Sequence, residues 1–116
     1  DLHLCDRRQR QMCIRDSQCT AEQYQADDKK LNETYQEALK RASGKQQELL
    51  KKAQLSWIAL RDADCQFLAS GAEGGSVQPM LINQCMSDKT VERESFLASL
   101  LQCEDGDQSC PLPPAN

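Results

Sequence analysis

Histidine is almost missing from this chain: of 116 residues only His3 is one. A Ser-His-Asp or Cys-His catalytic arrangement needs an imidazole beside its nucleophile, so that chemistry has little to stand on here. No Ser-x-x-Lys is present to put a lysine in the role of base, and no Cys-x-x-Cys suggests a zinc site. Aromatics are also scarce, namely Tyr24, Tyr35, Trp57, Phe67 and Phe96. The core must then be mostly Leu and Ala, which favours helices. No apolar run approaches the roughly 18 residues of a membrane-crossing helix. Strand-like alternation and internal repeats are absent as well.

The N-terminal stretch is unusual in another way. Arg7 to Ser17, RRQRQMCIRDS, back-translates without a gap into a transposon-type sequencing adaptor, and Asp1-Leu2-His3 reads as the end of the primer that precedes such adaptors. Residues 1–17 are therefore expected to be a non-native adaptor-derived segment on a truncated gene fragment. Without the four arginines and three aspartates of that segment, ten basic and fifteen acidic residues remain, a formal net charge of −5. An acidic chain with no basic arm is a poor candidate for nucleic-acid binding. The expected organisation is one helical domain at 18–103 and an irregular, Pro-containing tail at 104–116.

Helical periodicity runs through most of the domain. Thr20 with Gln23 reads as a capping box opening a first helix. Asp27, Leu31, Tyr35, Ala38 and Ala42 form its stripe and Gly44 its C-cap. A second helix follows, with Leu49, Leu50, Ala53, Trp57, Leu60 and Leu68 as its expected buried face. The short connection predicts an antiparallel hairpin. SGAEGGSVQP, with three glycines and a proline, reads as a loop. MLINQCM suggests one or two helical turns. A final helix is expected from Ser87 or Asp88, with Val91, Phe96, Leu97, Leu100 and Leu101 facing inward. The fold class is all-α: an antiparallel helical hairpin plus one or two shorter helices, stapled by disulfides.

Five cysteines lie beyond residue 17, a density that favours an oxidising compartment. Cys65 with Cys85 would close a loop of about twenty residues, worth roughly 3 kcal/mol in the chain-entropy model. Cys103 with Cys110 would clip the tail to the last helix. Cys19 is left as the unpaired candidate; other pairings of the five stay open. Asp62 with Asp64, and Glu92 with Glu94, are carboxylates two residues apart, which point to different sides of a helix and make poor catalytic pairs. Nothing implies a cofactor or a metal.

The most distinctive line is AQLSWIALRDADC. Gln54, Trp57, Arg61 and Cys65 fall on one helix face, where Arg61 can reach Asp27 or Asp28 on the first helix in a two-pronged pair. Leu31-Asn32-x-x-Tyr35, Gln54-x-x-Trp57, Arg61-Asp62-x-x-Cys65, Gly74-Gly75-Ser76, Cys85 and a Thr-x-x-Arg ending at Arg93 occur in that order. The series resembles the LprI-like lysozyme-inhibitor N-terminal domain family. The resemblance implies a secreted or periplasmic, helical, disulfide-stapled bacterial protein that acts by protein contact. Its partner would be a lysozyme or another envelope protein. Arg61, Trp57, Asn32 and Tyr35 are expected to hold the two long helices in register. Glu73, Gly74, Gly75 and Ser76 form a candidate contact loop. The alternative function is a structural or accessory envelope module without inhibitory activity.

Overall fold

A computed structural model describes residues 17–103 and 109–112. Three long helices carry almost all of it: α1 (Ser17–Arg41), α2 (Gly44–Leu68) and α3 (Gln78–Leu100), with a 3-10 turn at Ser70–Ala72 before α3. Lys40 and Arg41 sit in the last turn of α1, where they complement the helix dipole. The capping box lies at the next helix rather than at Thr20: Ser43 Oγ accepts from the Gln46 amide and Gln46 Oε1 accepts from the Ser43 amide. Gly44, expected as a C-cap, is instead the first residue of α2. Thr20 lies inside α1 and is fully buried.

MLINQCM and the final helix are one continuous element. Pro79 stands in the first turn of α3, where a missing amide hydrogen costs nothing. Ser87 and Asp88, expected as caps, lie mid-helix. Ser87 is buried, and its hydroxyl donates to the Asp27 carboxylate of α1. A residue that looks like a helix start is thus a contact between helices.

The closest pair of helices is α1 with α3, not α1 with α2. Ser87 donates to Asp27, Thr34 Oγ1 donates to Glu94 Oε2 at 2.7 Å, and Arg41 Nη1 donates to the Leu101 carbonyl at 2.8 Å. All three links join residues sixty apart. A constant offset means that α1 and α3 run parallel in a single register, and positions 27, 34 and 41 repeat every seven residues as in a coiled-coil seam. Thr20, Leu31, Ala38, Thr90 and Leu97 are fully or almost fully buried around it. With only Ala42 and Ser43 between α1 and α2, α2 must run back antiparallel, and α3 returns alongside α1.

α2 contradicts the expected inward face. Its buried residues are Gln54, Arg61 and Cys65. Leu49, Ala53, Leu60 and Leu68 are exposed, Leu60 at 60 %. On α3, Leu97 is buried as expected but Val91 and Phe96 are exposed. Trp57 and Leu50 are half-buried. The polar side of α2 faces inward because Gln54 and Arg61 find polar partners on α1 and α3, described below.

Both expected disulfides between described residues are present: Cys65–Cys85, with Cα atoms 5.5 Å apart, and Cys103–Cys110, at 6.0 Å. Cys19 is disulfide-bonded, which corrects its assignment as the unpaired cysteine; its partner lies outside the described residues. So does nearly all of the segment read as adaptor-derived. The tail is described only at 109–112. There Leu112 is buried in a cluster with Ala38 and Ala42, against Leu50, Leu100 and Leu101.

Candidate functional site

Two regions gather the residues that the sequence singles out. The first is an alternating ladder of rings and guanidinium groups that crosses the three helices. Arg61 of α2 lies over Tyr24 of α1, 5.6 Å from its ring centroid, and over Trp57 at 5.0 Å. Arg93 of α3 lies 5.8 Å from the other partner ring, Trp57, and 5.2 Å from Phe96. Trp57 and Arg61 are four residues apart on α2, so one helix face presents both. Each cation–ring contact contributes about 0.5–1 kcal/mol near a surface and more when desolvated.

Both guanidinium groups of the ladder are hydrogen-bonded. Arg61 Nε and Nη2 both lie 2.9 Å from Asp62 Oδ1, and Nη1 donates to Thr90 Oγ1 at 3.4 Å. Asp28 of α1 is 3.9 Å away. The expected reach to the first helix is therefore made to Asp28, while the shorter contact is to Asp62 on Arg61's own helix. Asp27 turns to Ser87 instead. Arg93 Nε donates to Gln54 Oε1 at 2.9 Å. Burial raises the Tyr24 pKa, a trend the neighbouring Arg61 charge opposes, and burial lowers that of Arg93.

Gln54, Trp57, Arg61, Asp62 and Arg93 thus meet in one constellation, and Leu31 is a core residue of α1. Asn32 does not join them: it is exposed, among the outward-facing side chains of α1. Tyr35 is half-buried and takes no part in the ladder. Sequence reasoning missed Tyr24, Thr90 and Phe96 as its partners. Thr90 and Arg93 are the two ends of the Thr-x-x-Arg signal, and that spacing places both on the α2-facing side of α3.

The second region is the end of the molecule at the glycine loop. The Ser70–Ala72 turn is closed by bonds from the Ala72 amide to the Ala69 carbonyl and from the Glu73 amide to the Ser70 carbonyl. Gly74 has φ +79°, a left-handed conformation that glycine adopts without strain. A Cβ on Gly75 would stand 3.1 Å from the Ala72 carbonyl oxygen. Cys65–Cys85 ties α2 to α3 beneath the loop. Glu73, Gly74, Gly75 and Ser76 are all exposed. Beside them Phe67, Leu68 and Val77 are exposed at 77, 65 and 49 %. Leu68 and Leu81 share a shallow cavity of about 370 Å³ with Asp88, Lys89 and Glu92.

Comparison with known proteins gives this arrangement a context. The model of the lysozyme inhibitor LprI family matches residues 5–97, from within the N-terminal segment to Leu97 of α3. The chain belongs to the LprI lysozyme inhibitor family. The LprI match includes the Arg61–Trp57–Arg93 ladder and the glycine loop. An uncharacterised protein of Rhizobium meliloti (strain 1021) is 33 % identical over 97 residues, covering 72 % of this chain and 70 % of that one. No solved structure matches the chain. Among the described residues no helix is long and apolar enough to cross a membrane.

Proposed function

We propose that this LprI-family chain is an inhibitor-type binding module, that it works outside the cytoplasm, in the periplasm or secreted, and that it acts by protein contact and not by catalysis. Its disulfides support the location, because such bonds persist in oxidising compartments. One observation carries the reading of its surface: the stapled loop end exposes Phe67, Leu68, Val77 and Glu73, with two carboxylates, Asp88 and Glu92, against one lysine, Lys89, at the Leu68–Leu81 cavity. An apolar centre with an acidic margin is how a contact surface for a basic protein is composed. Lysozymes are commonly basic, and an acidic partner gains encounter rate against them.

The test is a cell-wall lysis assay. Oxidised protein is titrated against hen-type, goose-type and invertebrate-type lysozymes. Dose-dependent protection is expected against at least one, weakened several-fold by Glu73→Lys and by Phe67→Ser with Leu68→Ser. Absence of protection from a helical, disulfide-bonded sample would sink the inhibitor reading and favour an accessory envelope role.

A further inference from the structure

The three arginines of the described residues are not alike. Arg41 pairs with Glu37 at 3.3 Å and Arg61 with Asp62 at 2.9 Å. Arg93 has no carboxylate partner among the described residues; Gln54 occupies only its Nε. Its guanidinium is held over Trp57 and Phe96, so its direction is set by two rings. It lines a cavity of about 330 Å³ between α2, α3 and the C-terminal end of α1, walled by Leu49, Leu50, Ala53, Phe96, Leu100 and Leu112. That volume is at the lower end of ordinary small-molecule sites.

We propose that this groove binds the carboxylate of an unbranched aliphatic acid, with the head group on the terminal amino groups of Arg93 and the alkyl chain laid along the apolar walls toward Leu112. Charge complementarity fixes the head: the two amino groups of this guanidinium have no partner among the described residues, and they can donate to a carboxylate in a two-pronged contact. The walls fix the body. Gln46 is the other polar side chain lining the groove, and its Nε2 already donates to the Pro111 carbonyl at 2.6 Å. A peptide terminus would bring amide groups into a groove with few partners for them, which is costly, whereas an unbranched chain brings none. From Arg93 to Leu100 the groove extends for about 10 Å along α3, at 1.5 Å per residue. The far end is closed by Leu112, which Cys103–Cys110 and the Gln46–Pro111 bond hold in place. Burial of the guanidinium, which lowers the Arg93 pKa, agrees with a charge set in an apolar wall. The groove shares no lining residue with the cavity beside the glycine loop.

Trp57 is the chain's single tryptophan and touches Arg93, so its fluorescence reports occupancy. The oxidised protein is titrated with dodecanoate, dodecanol and dodecyltrimethylammonium, each below its micelle concentration. Dodecanoate should give a saturable one-to-one response, at least about tenfold tighter than dodecanol, with none from the cation. From butanoate to octanoate, affinity should rise about fourfold per added buried CH₂ and then level off, as a groove of about 10 Å fills. Arg93→Gln should bring dodecanoate to the dodecanol level without changing dodecanol itself, and Ala53→Phe, at an exposed position, should abolish both. Equal affinity for acid and alcohol in the unmodified protein would overturn the proposal, as would a response that never saturates or an unchanged dodecanoate affinity in Arg93→Gln.

Discussion

The α1–α3 seam and the α2 face that packs on it are built on opposite principles. Along the seam, small and medium side chains such as Thr20, Ala38, Ser87 and Thr90 let two parallel helices approach closely, and Leu31 and Leu97 fill the space between them. Across α2, large groups meet at a distance: Arg61 and Trp57 span to Tyr24, Thr90 and Arg93. The seam derives its stability from close packing. The α2 face derives it from stacked cations and charge-assisted hydrogen bonds. Because that polar face points inward, α2 leaves Leu49, Leu60 and Phe67 to solvent. A small helical domain can therefore bury a polar helix face and expose an apolar one, provided every inward polar group has a partner. Among the described residues no buried side-chain nitrogen or oxygen lacks one.

The comparison breaks most sharply at leucine. Leu97→Ala should cost about 2–5 kcal/mol of unfolding free energy, since its side chain has no access to solvent. Leu60→Ala, on a helix of similar length, should change stability by no more than about 0.5 kcal/mol. Urea titrations of the two variants separate them; equal losses would mean that α2 faces the other way. Next in size is the staple between the two regions. Replacing Cys65 and Cys85 together with Ala should cost about 3 kcal/mol, the entropy of a loop of twenty residues. Thermal unfolding under non-reducing conditions measures it.

Arg61→Met probes the ladder itself. Asp28 and Asp62 are 40 and 48 % exposed, so water replaces much of the lost ion pair. What remains is the lost stacking on Tyr24 and Trp57 and the lost bond to Thr90, about 2 kcal/mol in all. A melting temperature identical to that of the parent protein would show that the ladder contributes nothing. The smallest effect is in alkali. The Tyr24 pKa is raised in the folded state, so its contribution to stability is fully present below the ordinary tyrosine value near 10 and is lost as pH rises through the folded value. Stability should decline above about pH 10, and Tyr24→Phe should flatten that part of the decline. A profile unchanged by the substitution would remove Tyr24 from the account.

Much of this was legible in the residues. Helical class, the two long helices, the break at the glycine loop and the pairings Cys65–Cys85 and Cys103–Cys110 follow from local signals: periodicity, turn residues and cysteine spacing. Gln54, Trp57 and Arg61 announce themselves by sharing one face. Their partners do not. Thr90 lies 29 residues beyond Arg61 and Arg93 lies 39 beyond Gln54, and no local pattern says which helix α2 leans on. The single span of α3 was also hidden. Ser87 and Asp88 carry a start signal that a mid-helix position overrides once Ser87 bonds Asp27.

By itself, the sequence determined what is local about this protein: where helices form, where the chain turns, and that its charge is negative and its core poor in rings. Those follow from backbone preference and composition, which each segment carries alone. Only the tertiary structure decided which helix pairs with which, the parallel register of α1 and α3, and that α2 turns its polar side inward. These depend on the sum of contacts over three helices. There a buried arginine between two rings and a threonine outweighed the burial of an apolar stripe, a balance that no single segment contains.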